Sequence, residues 1–184
     1  MNHTRDLPLA VDLDGTLIHA DLFFRSMLTF LSRKPWGVLA MPFWFLRGRA
    51  PVKARLAKYA PAPETLPYDA RVVEWLRAEK ARGRTIVLAS ASDRAAVERV
   101  AAYLGLFDAV LASDGVANLK SRRKAAALSQ AFPRGFVYAG NERADLKVWE
   151  AAASAVLVNC SAALERHARA RFLVERCFAP DRSR

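Results

Sequence analysis

The sequence lacks features on which whole classes of proteins depend. It has two cysteines and three histidines in 184 residues, which is too few for a disulfide framework, and no Cys and His spacing of a zinc site is present. No apolar run reaches the roughly 20 residues that cross a bilayer as a helix. Residues 1–6 do not read as a secretory signal. We therefore expect a protein without disulfides, zinc or spanning helices that is kept in the cytoplasm.

Acidic residues are absent from one long segment of the chain. Between residues 22 and 63 there are eight basic residues and no Asp or Glu, in a chain whose net charge is +11. Apolar stretches at residues 22–31 and 36–46 lie in this segment, and Pro35 favours a break between them. The pattern predicts two short helices in a hairpin. They fit a cap over an active site, a surface that lies on anionic lipid, or both.

The remainder of the chain has the composition and pattern of one α/β domain. Hydrophobic residues make up 53% of the sequence, which is enough for a core. Short apolar runs alternate with helical patterns, and runs without polar alternation are typical of parallel strands covered on both faces. We therefore predict a mostly parallel sheet, followed by a last helix over residues 161–174. Its five strands are predicted at residues 9–13, 85–89, 109–112, 136–139 and 155–158.

Polar side chains follow these strands, at the edge where open parallel sheets bind ligands. Asp12 and Asp14 flank one leucine after the first strand, so both carboxylates project to the same side, which favours a cation between them. A carboxylate beside Mg²⁺ can attack phosphorus, while an acid two residues on protonates the leaving oxygen and later activates water. Ser90, Asn141 and Asp145 follow later strands and are further candidates.

Four motifs in this order resemble those of the haloacid dehalogenase-like phosphohydrolases. They are residues 12–16 (Asp-Leu-Asp-Gly-Thr), Ser90, a lysine at Lys120 or alternatively Lys124, and residues 140–145 (Gly-Asn-Glu-Arg-Ala-Asp). The resemblance implies a Rossmann-like α/β core, formed by residues 1–20 and 67–184. It also implies a small helical cap, residues 21–66, inserted after the first strand. Such a cap would exclude water and select the substrate.

The same resemblance assigns a role to each candidate. Asp12 would be the nucleophile and Asp14 the acid/base, and Ser90 with Lys120 or Lys124 would hold the phosphoryl oxygens. Independently of the resemblance, Ser92 and Asp93 are candidates to cap the next helix, and a cap at Ser92 leaves Ser90 for phosphate. The implied cofactor is Mg²⁺. Many members carry an acid at the position of Asn141, so weaker Mg²⁺ binding is expected here. The implied metal ligands are Asp12, Asp14, Asn141 and Asp145.

Several segments also resemble one particular branch of this family. Residues 17–49, 88–94, 118–128 and 138–149 are similar to the domain that in many bacteria precedes an integral-membrane polyprenyltransferase of the 4-hydroxybenzoate polyprenyltransferase type. Residues 172–184 resemble the linker of such fusions. This resemblance implies a lipid-linked or prenyl phosphate ester as substrate. It also implies a position at the inner face of the membrane, with the membrane surface or a prenyltransferase domain as partner.

Three functions are weighed on this basis. The first is Mg²⁺-dependent hydrolysis of a phosphate monoester through an aspartyl phosphate on Asp12. The second is a membrane-docked accessory module of a prenyltransferase with little turnover, which Asn141 and the basic apolar segment favour. The third, nucleic-acid binding, rests only on the pI of about 10.4. The apolar residues among the basic ones favour lipid instead, so we expect no nucleic-acid partner.

Overall fold

Six strands form one parallel sheet in the computed structural model, which describes residues 3–46, 48–114 and 118–180. The order across the sheet is β3-β2-β1-β4-β5-β6, and every neighbouring pair is parallel. The α/β fold with a parallel sheet is therefore confirmed, with six strands where five were predicted. The strands are Leu9–Val11 (β1), Ile86–Asp93 (β2), Ala109–Ser113 (β3), Val137–Gly140 (β4), Ser154–Val158 (β5) and Val174–Phe178 (β6).

Helices cover both faces of the sheet, which explains why its central strands are uniformly apolar. Ala10 of β1 packs with side chains of α6, α7 and α8, whereas Leu9 and Val11 pack with those of α4 and α5. Alternate residues of a strand thus enter opposite cores. The helices are Leu22–Arg33 (α1), Met41–Leu46 (α2), Arg49–Leu56 (α3), Ala70–Ala81 (α4), Arg94–Leu104 (α5), Arg122–Ala131 (α6), Leu146–Trp149 (α7) and Ala162–Arg171 (α8).

The sixth strand corrects the prediction for the end of the chain. We expected a helix to residue 174 and a linker after residue 172, but α8 ends at Arg171 and β6 pairs with β5. Two ion pairs explain why a strand with charged residues can lie at this edge. The guanidinium of the buried Arg84 contacts Glu175 of β6 at 2.9 Å and Glu79 of α4 at 3.0 Å. Residues 181–184 of the expected linker lie outside the described residues.

The helical segments of residues 22–46 and 48–59, called the insert below, share a hydrophobic cluster of their own. Phe30 of α1, Met41 of α2, and Val52 and Leu56 of α3 are its buried members. The expected two-helix hairpin is thus a larger unit, because the second stretch forms a 3₁₀ helix over Pro35–Ala40 before α2, and α3 follows. The insert also contacts β2 and α5, and the division into core and cap at residues 21 and 66 stays a prediction. In the described ranges, no helix is long and apolar enough to cross a membrane.

Candidate active site

The ends of the central strands border a cavity of about 560 Å³. Six of the predicted site residues line it, so the structure brings them together from the loop after β1, from α6 and the turn before it, and from the loop after β4. Ser90 is fully buried, whereas the next two residues, Ala91 and Ser92, line the cavity. The insert contributes Phe23, Met27 and Lys53 to the wall. The predicted residues that line the cavity are Asp12, Asp14, Lys120, Lys124, Asn141 and Asp145.

Asp12 is held in place by its backbone and by a buried lysine. Its backbone N–H donates to the carbonyl of Ala139 in β4 at 3.0 Å, which continues the path of β1. Its Oδ1 accepts a hydrogen bond from the Nζ of Lys124, in the first turn of α6, at 2.6 Å. The two side chains are only 10% and 5% exposed. Among the described residues, the other carboxylate oxygen of Asp12 has no hydrogen-bond donor.

The cavity holds more negative charge than this lysine balances. Burial raises the pKa of Asp12 to about 7, even though Lys124 lowers it, and the charges of Asp145 and Asp14 raise it further. Burial also raises the pKa of Asp14. Burial opposes the charge on Lys124, but the nearby carboxylates outweigh it and raise the pKa of this lysine. Lys124 is therefore charged at neutral pH, and a further cation would stabilise the ionised carboxylates.

Asp14 connects the insert to the core. Its Oδ1 accepts a hydrogen bond from the backbone N–H of Leu22, at the start of α1, at 2.7 Å. Its Oδ2 accepts from the hydroxyl of Ser92 at 2.8 Å. The expectation that Ser92 caps the next helix is wrong, because the carboxylate of Asp93 accepts from the Ala95 N–H and caps α5. Ser92 thus belongs to the site.

Gly15 allows the loop after β1 to lie against the loop after β4. Its φ is +79°, and a Cβ atom at this position would lie 2.1 Å from the amide nitrogen of Asn141. A side chain at this position would force the Asn141 amide to move, and the left-handed backbone also favours glycine. The neighbouring Thr16 hydroxyl donates to the Asn141 amide oxygen at 3.2 Å. Asn141 is thereby fixed beside residues 14–16.

Asp145 organises the loop that carries Asn141. Its Oδ2 accepts from the backbone N–H groups of Asn141 and Glu142 at 2.9 and 3.0 Å. Its Oδ1 accepts from the hydroxyl of Tyr138 at 2.9 Å. A side chain at Gly140 would collide with this carboxylate. Both oxygens of Asp145 are thus engaged in holding the chain, which favours a supporting role over direct metal binding.

Tyr138 is one of the site residues that the sequence did not single out. This fully buried side chain of β4 accepts a hydrogen bond from Lys124 Nζ at 2.8 Å and donates one to Asp145. Burial raises the pKa of Tyr138 well above its ordinary value, so the phenol stays protonated and can donate. The sequence carried one signal for this role, a tyrosine within an otherwise aliphatic strand. A buried hydroxyl requires a hydrogen-bond partner, so such a tyrosine indicates a polar group nearby.

The two candidate lysines occupy different environments. Lys124 is buried against Asp12, whereas Lys120 is half exposed and its Nζ lies 3.1 Å from Glu142. A third lysine, which the sequence did not single out, reaches the cavity from α3 of the insert. Lys53 donates to the Ala91 carbonyl at 2.6 Å.

The oxygen donors around Asp12 fit a hard cation. The second carboxylate oxygen of Asp12 and the amide oxygen of Asn141 are the kinds of ligand that Mg²⁺ prefers. Burial raises the pKa values of Asp12 and Asp14, and a bound cation would stabilise their ionised forms. Within the described residues, no group of three or more His, Cys, Asp or Glu side chains is arranged around one metal position. Backbone carbonyls, Asn141 and water would therefore complete any coordination shell.

We expect Tyr138→Phe to lower the free energy of unfolding by about 1–3 kcal/mol, because it removes a partner from the buried Lys124 and Asp145. Urea denaturation measures this change. Tyr103→Phe is the matched control, since the Tyr103 side chain is 54% exposed and should change the value by less than about 0.5 kcal/mol. Equal effects of the two variants would contradict the assignment.

Sequence comparison finds one longer relative. An uncharacterised protein, y4nM, of Sinorhizobium fredii (strain NBRC 101917 / NGR234) is 39% identical over 181 residues. The match covers 97% of this chain and 35% of the relative. The chain thus spans about a third of the length of this relative.

Structure comparison finds the same fold in known structures. A protein of unknown function from Bordetella pertussis Tohama I has a TM-score of 0.69 and 17% identity, over 91% of this chain and 96% of that one. A phospho-aspartyl intermediate analogue of phosphoserine phosphatase has a TM-score of 0.63 and 16% identity, over 94% and 93%. At these identities, the likeness shows a shared fold.

The sequence of the core settles the family. A model of the family of haloacid dehalogenase-like hydrolases matches residues 9–150, a range that contains all seven predicted site residues and most of the chain. The resemblance of the four motifs to this family is thereby confirmed. The chain belongs to the haloacid dehalogenase-like hydrolase family.

Proposed function

We propose that the protein is a Mg²⁺-dependent phosphatase that hydrolyses a phosphate monoester through an aspartyl phosphate on Asp12. The observation that carries this proposal is the buried Asp12 carboxylate, which lies 2.6 Å from Lys124 and also lines the cavity. A fixed carboxylate in a shielded site is suited to nucleophilic attack. The similarity to the phospho-aspartyl form of phosphoserine phosphatase supports the same chemistry.

The reaction divides into two displacements at phosphorus. In the first, a carboxylate oxygen of Asp12 forms a bond to phosphorus while the bond to the ester oxygen breaks, and Asp14 donates a proton to the departing alcohol. Burial raises the pKa of Asp14, as a general acid requires. In the second, Asp14 accepts a proton from water while the water oxygen attacks phosphorus. The bond between phosphorus and Asp12 breaks, which releases inorganic phosphate and regenerates the Asp12 carboxylate.

Positive charge and hydrogen-bond donors stabilise the phosphoryl oxygens. Lys124 is charged and fixed beside Asp12, so we assign to it the role that the resemblance implies for Lys120 or Lys124. Ser90 is expected to act with the chain at Ala91 and Ser92, which lines the cavity. When bound, Mg²⁺ supplies positive charge that offsets the negative charge of the phosphoryl oxygens. Asp12, Asn141 and the backbone carbonyl of Asp14 would hold it, and Asp145 would position Asn141.

The wall of the cavity indicates an ester with an apolar alcohol portion. Phe23 and Met27 of α1 and Ala20 lie on the insert side, where a substrate would extend away from Asp12. Lys53 adds a cation on the same side. We therefore propose a prenyl or lipid-linked phosphate as substrate, with the insert acting as the cap. We also propose a prenyltransferase domain as partner. The longer relative has room for a further domain outside the matched region.

One observation favours a second function, an accessory module with little turnover. Asn141 replaces an acid that would bind Mg²⁺, and both oxygens of Asp145 are engaged in hydrogen bonds to Tyr138 and the following loop. Such a site would bind the metal weakly. The module would then retain the fold and contribute through its surface.

We expect phosphate release from a panel of monoesters, including prenyl phosphates, to require Mg²⁺ and to fall more than about a thousandfold in Asp12→Asn. The matched control is Asp93→Asn, which changes a helix cap outside the hydrogen bonds of Asp12. A colorimetric phosphate assay with and without EDTA measures the rates. No release from any ester at saturating Mg²⁺ would favour the accessory module.

We expect Lys124→Met to reduce turnover by about 10²–10³-fold, since it removes a cation at the site of developing charge. Lys120→Met should change turnover only a few-fold, because Lys120 pairs with Glu142. Circular dichroism checks that both variants fold. A greater loss in Lys120→Met than in Lys124→Met would reverse the assignment.

We expect Asn141→Asp to lower the Mg²⁺ concentration that gives half of the maximal rise in melting temperature, because it adds a carboxylate to the ligand set. Asn118→Asp places the same charge on another loop of the cavity and should shift the midpoint less. A thermal melt at increasing Mg²⁺ measures both. If Mg²⁺ leaves the melting temperature of the wild type unchanged, the metal assignment fails.

A further inference from the structure

Exposed apolar side chains are concentrated in the insert. Nine large hydrophobic residues of the described chain are at least half exposed, and seven of them lie between residues 24 and 46. Single exposed apolar residues are ordinary, but a concentration of them marks an interaction site. The most exposed are Leu46 at 84%, Trp36 at 83%, Phe43 at 70% and Leu39 at 67%.

An aromatic cleft lies next to these residues. It has a volume of about 560 Å³ and shares no lining residue with the cavity that holds Asp12. The Phe30 ring packs against Trp44 and Tyr59, with centroids 5.4 and 5.1 Å apart, and Trp36 completes the aromatic lining. The exposed apolar residues therefore border a preformed aromatic recess.

Four cations line the same cleft. The Arg55 guanidinium lies 4.7 Å from the centroid of the Trp44 ring, and Lys58 Nζ lies 5.4 Å from that of Tyr59. In the described part of the chain, these cations form no ion pair with a carboxylate. The segment from residue 22 to residue 63 contains no acid at all. Their charge is thus available to an external anion. The four cations are Arg33, Lys34, Arg55 and Lys58.

We propose that this face of the insert docks on an anionic lipid bilayer. The cleft cations would meet the phosphates of acidic lipids, while Trp36, Leu39, Phe43 and Leu46 enter the interfacial layer. A bilayer surface offers negative charge and apolar depth together, which matches both halves of this face. A nucleic acid would match the cations but leave the aliphatic side chains in water. This inference concerns a surface outside the catalytic cavity and does not depend on hydrolysis.

Vesicle sedimentation with the full chain tests the docking. We expect binding to vesicles made from equal parts of phosphatidylcholine and phosphatidylglycerol, and none to phosphatidylcholine alone. Binding should weaken as salt is added. The double variant Arg33→Gln with Lys34→Gln should weaken vesicle binding about 30-fold, because each basic residue near an anionic surface contributes a factor of about five and the two factors multiply. Trp36→Ser with Phe43→Ser should weaken it as well.

Matched variants on the core control for total charge and hydrophobicity. Arg77→Gln with Arg134→Gln removes two exposed charges, and Leu173→Ser removes an exposed apolar side chain, outside the insert. Both should bind vesicles as the wild type does. Equal weakening by these variants would overturn the proposal, as would no binding to anionic vesicles at low salt. Binding of the insert face to duplex DNA or to a second copy, without vesicle binding, would overturn it too. Phosphate release by each variant reports separately on hydrolysis.

Discussion

The buried contact between Lys124 and Asp12 is the interaction on which the site depends. Burying two charges is costly, and the cost is recovered only when geometry is good and the remaining hydrogen-bonding groups are satisfied. Here the lysine also donates to Tyr138, which in turn donates to Asp145. Asp145 then holds the backbone of the loop after β4. One connected set of hydrogen bonds therefore fixes β1, β4 and α6 relative to each other.

Charge is distributed unevenly within the molecule. The chain carries a large positive net charge, yet burial raises the pKa values of the cavity carboxylates Asp12 and Asp14. A positive net charge would attract the phosphate ester that we propose as substrate. Lys53 brings positive charge from the insert to the cavity wall, and the backbone at the start of α1 donates to Asp14. The insert thus contributes both a cation and a hydrogen-bond donor to the cavity.

Much of the fold and of the candidate site could be predicted from short-range patterns. The five apolar runs could be predicted as strands because their own residues identify them, without knowledge of a distant partner. β6 was missed because it carries Glu175, whose partners Arg84 and Ser154 are distant in sequence. The choice between Lys120 and Lys124 depends on the turn before α6, where Ser121 has a φ of 53°. Tyr138 and Lys53 were missed, and Ser92 was assigned to a helix cap, because their partners in the site are distant in sequence.

The position of β1 in the sheet has a consequence for how the chain folds. Leu9 pairs with Ile86 on one side and with Val137 on the other, so the strand that leads into Asp12 has only remote partners. Closing such long loops slows folding. During synthesis, β1 must wait until β4 has left the ribosome before both of its edges are paired. The strand that leads into Asp12 thus precedes both of its partners along the chain, which leaves its edges open to premature association in the meantime.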